Sequence, residues 1–191
     1  MTAKETLRAE VLRRRADRDE LHLKAAGTAI ADLVPRVDAV KHASCVAVYL
    51  SMGSEPPTWP LVDLLRERAI RVLTPLVRPG HRLDWAEYAG RDRLRTAAYG
   101  ISEPATPPLG VDAVADADVI VLPALAVDRD GHRLGRGAGY YDRALAHASP
   151  LAARIAVVYA DELVAHVPTD EHDQPVHFAV TPGRIWACTA A

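Results

Sequence analysis

The sequence predicts an α/β fold with a largely parallel sheet between helices. Three observations carry this. Short apolar runs at Cys45–Leu50, Arg71–Leu76, Val119–Pro123 and Arg154–Tyr159 are too continuous for strands with one wet face and suit strands covered on both sides. Stretches with helical apolar spacing alternate with them, as in βαβ units. The chain has 191 residues, enough to bury roughly 70% of its unfolded surface. One domain spanning residues 1–191 is expected, with no disulfide or metal needed to hold its core.

Taken in order, residues 3–33 read as one helix. Leu7 and Val11 are four apart, Leu21, Ala25 and Ala29 continue the line, and Ile30 and Leu33 close it. Pro35 stops it, because the residue before proline avoids the α region. Lys4, Arg8 and Arg15 share a face at spacings of four and seven, and the plain reading is a solvated basic face. Cys45–Leu50 is a buried strand and Ser51–Pro57 a turn. A helix over 58–69 carries Trp59, Leu61, Val62, Leu64 and Leu65. Strands follow at Arg71–Leu76 and, less buried because Asp84 and Glu87 interrupt it, at Leu83–Tyr88. Residues 89–115, rich in Gly and Pro, read as an extended loop with a short helix, and the expectation is a lid over the site. After the Val119–Pro123 strand come a glycine cluster, a helix at about 139–148, the Arg154–Tyr159 strand, an acidic loop (Asp170, Glu171, Asp173) and a last strand at His177–Thr181.

Composition narrows function. The chain has 23 basic and 25 acidic residues, net −2, so no whole-chain field draws nucleic acid or an anionic membrane. The run Arg13-Arg14-Arg15 is balanced by Asp17, Asp19 and Glu20 and reads as a solvated helix face. No apolar core follows Met1–Glu5 and no run approaches a membrane span. Cys45 and Cys188 make no disulfide framework, so a reduced, cytoplasmic setting is expected. Cys45 falls in a buried strand and Cys188 near the C-terminus, neither in a reactive context.

The richest segment runs from Leu122 to Arg143. A strand end and an Asp130-Gly131 turn lead into Arg133-Leu-Gly-Arg-Gly-Ala-Gly-Tyr-Tyr-Asp142. Gly135, Gly137 and Gly139 clear Cβ atoms from one stretch of backbone, whose N–H groups can then approach an anion. The next helix offers its N-terminus. Arg133 and Arg136 add forked charge suited to phosphate, and Asp142 can hold a divalent cation. A plain glycine-rich turn with surface arginines is the competing reading. Walker A needs a terminal GK[ST], which this loop lacks. G-x-G-x-x-G fails because Tyr140 and Asp142 stand where the third glycine belongs.

This segment closely resembles the signature of the 5-formyltetrahydrofolate cyclo-ligase (5,10-methenyltetrahydrofolate synthetase) family. The lead-in Leu-Pro-Ala-Leu-Ala-Val-Asp-Arg-Asp-Gly, the N-terminal Lys4-x-x-x-Arg8, the strand end Tyr-Leu-Ser-Met followed by Glu55, and Val-Pro-x-x-x-His-Asp at 167–173 extend the likeness over nearly the whole chain. The resemblance implies a three-layer α/β sandwich of the ribose-phosphate isomerase/CoA-transferase-like type. It implies ATP- and Mg²⁺-dependent conversion of 5-formyltetrahydrofolate to 5,10-methenyltetrahydrofolate. Lys4, Arg8 and the stretch Arg133, Leu134, Gly135, Arg136, Gly137, Ala138, Gly139, Tyr140 and Tyr141 correspond to the ATP site. Leu50 and Glu55, with Arg136 to Tyr140, border the folate. Asp142 and Asp173 correspond to metal ligands. Arg136 and Tyr140 are the expected catalytic residues. Many relatives have Lys or Gly where this chain has Ala138, so Arg136 is expected to carry more of the phosphate neutralisation. Positive charge from Lys4, Arg8, Arg133 and Arg136 is expected to gather round one phosphate chain.

Trp85, Tyr99, Tyr140 and Tyr141 are candidate apolar walls, with core packing favoured for the first two. His132 and His172 read as turn residues. A monomer is expected. Two other classes stay open on the same scaffold: a non-catalytic nucleotide or folate binder, and a sugar-phosphate isomerase or acyl-CoA transferase relative. The intact Arg133–Asp142 stretch, with Lys4, Arg8, Glu55 and Asp173 all present, argues against the first, and ATP dependence separates the second from a ligase.

Overall fold

The structure is a computed structural model and describes residues 2–96, 102–170 and 173–189. The predicted 3–33 helix is two helices, α1 (Ala3–Ala16) and α2 (Glu20–Leu33). The break follows from local chemistry: the Asp19 side chain accepts the His22 N–H and starts a new helix, as N-cap aspartates do. Thr2 and Glu5 close a capping box on α1. Pro35 lies in a short 3₁₀ turn (Val34–Arg36) that leads to α3 (Asp38–Lys41).

Strand β1 (Cys45–Val48) then leads through a turn to α4 (Trp59–Glu67), β2 (Arg71–Arg78) and β3 (Arg82–Glu87). The proposed extended segment 89–115 instead contains a small hairpin, β4 (Leu94–Thr96) with β5 (Ser102–Pro104), and a 3₁₀ turn at Val111–Asp116. Glu103 is buried and accepts the Val77 N–H at 3.0 Å, which pins β5 to β2. β6 (Val119–Pro123) is as expected. Beyond it lies a hairpin the alternation did not reveal, β7 (Ala126–Val127) with β8 (Arg133–Leu134). α5 (Tyr140–Leu145), β9 (Ala153–Val157) and β10 (Phe178–Thr181) follow. A further strand, β11 (Arg184–Ala187), was absent from the sequence reading.

The main sheet has the order β11-β10-β9-β6-β1-β2-β3. The five inner strands are parallel, and β3 and β11 run antiparallel at the edges. Side-chain alternation splits the core. Val46, Val48, Val72, Val121 and Val157 face Ile30, Leu61 and Leu65 of α2 and α4. Ala47, Leu73, Ile120, Leu122 and Ala156 face Trp85, Val114, Ala144 and Leu145 on the other side. This is a three-layer sandwich with helices on both faces. A third cluster packs Val11 of α1 on Leu125, Ala126, Leu134 and Val167. The N-terminal helix is therefore seated on the β7–β8 hairpin, whose second strand opens the glycine loop.

Strand order reverses between β1 and β6. The chain leaves β1 for β2 on one side and later places β6, β9 and β10 on the other. In open α/β sheets the crevice beyond the carboxyl ends of such a pair is the usual ligand site. Here those ends are Tyr49 and Leu50 after β1, and Ala124 and Leu125 after β6.

Candidate functional site

A cavity of about 470 Å³ opens at that reversal. Its walls include Tyr49, Leu50, Pro123, Ala124 and Leu125 from the strand ends, Lys4, Arg8 and Arg15 from α1, and Val77 and Leu83 from the β2–β3 hairpin. The whole stretch from Arg133 to Asp142 also lines it, with Glu55, Asp170 and Asp173. The structure thus brings every residue named from the resemblance to one cavity.

The loop's bend depends on two glycines. Gly137 has φ +102° and Gly139 φ +67°, both in the left-handed region. A Cβ on Gly137 would come into van der Waals contact with the Arg8 guanidinium at 3.4 Å. Arg8 itself donates from Nε to the Gly135 carbonyl at 2.9 Å, so α1 is tied directly to the loop. α5 is only six residues long, shorter than the 139–148 expected, and its dipole adds little to the loop's charge.

Several charged side chains in the cavity are paired. Lys4 Nζ lies 2.6 Å from Asp170 Oδ2 and 2.7 Å from Asp173 Oδ2. Arg133, 7% exposed, pairs through Nη2 with Asp142. Its Nε is buried with no hydrogen-bond partner. Exposed Arg136 reaches Glu55 at 3.2 Å, and Glu55 in turn accepts the Met52 N–H. Among the described residues five cations (Lys4, Arg8, Arg15, Arg133, Arg136) and four carboxylates (Glu55, Asp142, Asp170, Asp173) line the cavity. The expected local excess of positive charge is therefore largely compensated. Lys4, Arg15, Arg133 and Arg136 each sit against an acid, while Arg8 donates to the Gly135 carbonyl; unpaired like charges crowded in a partly dry cleft would repel.

These pairs shift titration. For Asp173, burial raises the pKa, but hydrogen bonds from Lys4 and the Asp170 N–H and the nearby charges of Lys4 and Arg133 outweigh it, and the carboxyl is held below its usual range. For Lys4, burial is likewise outweighed by Asp170 and Asp173, and the ammonium is held more firmly charged. Burial, reinforced by the Glu55 charge, pushes the Tyr141 and Tyr49 phenols far up. Both remain neutral hydroxyls at neutral pH. Burial also pushes the Cys45 and Cys188 thiols up to about 11, so neither is a ready nucleophile.

Arg15 overturns the solvated-face reading of the basic run. It is 1% exposed and donates from Nε and Nη2 to the fully buried Glu162 at 2.7 and 2.8 Å, with Nη2 also reaching the Ala124 carbonyl at 2.6 Å. The spacing of Lys4, Arg8 and Arg15 carried this signal, since all three face the cavity. Glu162, far along the chain in a 3₁₀ turn, gave none. Trp85 is buried in the core as favoured, and Tyr140 lines the cavity with His81 edge-on at 5.2 Å. Tyr99 and His172 lie outside the described residues. His132 hydrogen-bonds the buried Asp128, which also accepts three backbone N–H groups, a turn-building role as expected.

Asp142 and Asp173 suit a magnesium ion that takes most of its ligands from phosphate and water. Each offers a partly exposed carboxylate on the same cavity wall, and each is held by a cation that a phosphate can replace. Among the described residues neither belongs to a close all-protein cluster of three ligands, which fits a cation arriving with its substrate.

A mostly parallel sheet covered on both faces, with a glycine-bent, arginine-flanked loop at its reversal point, defines an α/β protein with a cleft suited to an anionic small molecule. The family profile of the 5-formyltetrahydrofolate cyclo-ligases matches residues 1–182, and the chain belongs to that family. A 5-formyltetrahydrofolate cyclo-ligase from Mycolicibacterium smegmatis is 44% identical over 144 residues, 73% of this chain and 74% of that one. Its Escherichia coli K12 counterpart is 32% identical over 75% of this chain and 81% of its own length. The solved Aquifex aeolicus 5,10-methenyltetrahydrofolate synthetase superposes with TM-score 0.83 and 26% identity, covering 97% of this chain and 93% of that one. A Mycoplasma pneumoniae structure at 18% identity and TM-score 0.74 shares the fold. The activity is that of a folate ligase in one-carbon metabolism, cyclising 5-formyltetrahydrofolate to the methenyl form. Among the described residues no helix is long and apolar enough to cross a membrane.

Proposed function

We propose that this cavity holds ATP and 5-formyltetrahydrofolate side by side and transfers the γ-phosphoryl group to the formyl oxygen. The observation that carries the reading is the convergence of α1, the glycine loop and the β1 end on one cavity. Lys4, Arg8, Arg133 and the loop from Leu134 to Tyr141 take the ATP side. Leu50 and Glu55 take the folate side, with Arg136 to Tyr140 between the two ligands. The contact of Arg136 with Glu55 supports this placement, because it joins a residue of each side.

The formyl oxygen is a poor leaving group. Attack of that oxygen on the γ-phosphorus breaks the bond to ADP and leaves an iminium phosphate at N5. N10 then adds to the formyl carbon and loses its proton, the carbon–oxygen bond breaks, and inorganic phosphate departs as the methenyl bridge forms. ADP and phosphate are the by-products. No protein nucleophile enters. The chain's work is to hold the reacting oxygen and phosphorus in line and to balance the moving charge. Arg136, mobile enough to leave Glu55, meets the transferring phosphoryl oxygens. Tyr140 covers the formyl group from the loop side and excludes water. Mg²⁺, held by Asp142 and Asp173, neutralises phosphate charge when bound. A one-domain monomer remains the expected working unit, and two free cysteines suit the cytoplasm.

The test is isotopic. With substrate carrying ¹⁸O in the formyl group, the released phosphate should contain the label. Unlabelled phosphate would exclude transfer to that oxygen.

A further inference from the structure

The cavity poses an electrostatic problem. ATP without metal carries about four negative charges, yet Lys4 and Arg133 are already committed to Asp173 and Asp142. A polyphosphate that drew those cations away would leave Asp142 without its cation and Asp173 with only the Asp170 N–H, in a partly dry wall where an uncompensated carboxylate is unfavourable. A divalent cation entering alone would take Asp142 and Asp173, leaving Arg133 without its acid and Lys4 with only the exposed Asp170. Entering together, phosphate takes the cations and metal takes the acids, and every charge is paired again. Arg133 is poised for such an exchange, because its buried Nε has no partner in the present arrangement.

We propose that the Lys4–Asp173 and Arg133–Asp142 pairs form a charge lock that admits the nucleotide only together with its divalent cation. Asp142 and Asp173 then do more than ligate metal: before it arrives they hold the phosphate-binding cations and oppose metal-free nucleotide. The lock rests on the reading of this cavity as the ATP site. Asp170, exposed and also on Lys4, adds a weaker third element. The coupling is reciprocal, so nucleotide strengthens metal binding by the factor by which metal strengthens nucleotide binding.

Calorimetric titration at fixed ionic strength tests this with ATP in EDTA and with ATP in saturating Mg²⁺, no folate being present. Wild-type protein should bind the magnesium complex at least about tenfold more tightly than metal-free ATP. Asp142→Asn and Asp173→Asn should each bind metal-free ATP several-fold more tightly than wild type while binding the magnesium complex more weakly. Mere loss of a carboxylate's repulsion on the polyphosphate would give the same gain whether or not Lys4 is present. Exposed Asp170→Asn should give a smaller gain in the same direction, without risk to the fold. In a Lys4→Met background the gain from Asp173→Asn should vanish, since no pair is left to release. Unchanged or weaker metal-free binding in the Asn variants, or a gain that survives Lys4→Met, would overturn the lock while leaving the ATP site standing. Wild-type protein that binds neither form of the nucleotide would overturn both.

Discussion

The buried Arg15–Glu162 pair is the strut that fixes α1, and Arg15→Met measures it. The substitution keeps most of the side chain's length and removes three hydrogen bonds at 2.6–2.8 Å. Glu162 is then left fully buried with only the Tyr159 N–H, at 2.9 Å, to satisfy it. Breaking one side of such a pair costs about 3–5 kcal/mol. At about 2–4 °C per kcal/mol for a chain of this size, Tm should fall by roughly 6–20 °C. Denaturant unfolding monitored by circular dichroism reads the same loss as a lower midpoint at constant slope. The double variant Arg15→Met/Glu162→Gln should recover at least half of it, because the amide still accepts the Tyr159 N–H without a stranded charge. Since α1 carries Lys4 and Arg8, the single variant should also raise KM for ATP several-fold more than KM for the folate. A cost below about 1 kcal/mol, or strictly additive single and double variants, would refute the strut.

Four further outcomes are expected. Arg136→Ala should lower kcat by about 10²–10³ with little change in nucleotide affinity, and an unchanged kcat in steady-state assays rejects its role on the phosphoryl group. Lys4→Ala should weaken nucleotide binding without touching folate binding, checked by titrating each ligand separately; equal losses for both would point to a folding defect instead. The Asp173 carboxyl is held low in the folded chain, so its contribution is present above the ordinary carboxylate range and fades as pH falls below about 4 through its depressed folded value. Wild-type Tm should drop more steeply than that of Asp173→Asn on acidification from pH 7 to 3, and parallel profiles would contradict the pairing. Gly131→Ala should destabilise by at least about 2 kcal/mol in denaturant unfolding, because φ there is +84° and a Cβ would sit 2.2 Å from the Val176 carbonyl; near-wild-type stability would be contrary.

The legible parts of the sequence were those written in local chemistry. Strand runs such as Val119–Pro123 need two covered faces, and their continuity says so. The Arg133–Asp142 loop declares itself by glycines at alternate positions between arginines and an acid. What escaped depended on distant partners. One unbroken 3–33 helix ignored the cap at Asp19, a cue that was present but outweighed by apolar periodicity. The β7–β8 hairpin has two-residue strands, too short for any period to register. Arg15 looked solvated within Arg13-Arg14-Arg15 because its partner Glu162 lies 147 positions away. The positive charge expected round the phosphates was read from the cations alone, and only the fold showed Asp142, Asp173 and Glu55 seated against them. Glu55 and Asp173 themselves came from the family resemblance, since neither has a local pattern that marks it.

The central claim is that this cavity closes the folate ring at the expense of ATP. Purified protein mixed with 5-formyltetrahydrofolate and Mg²⁺ should be silent, and addition of ATP should produce the near-ultraviolet absorbance of the conjugated methenyl product, with one ADP released per ring closed. No ATP-dependent rise from folded protein, under conditions where a known cyclo-ligase is active, would contradict it.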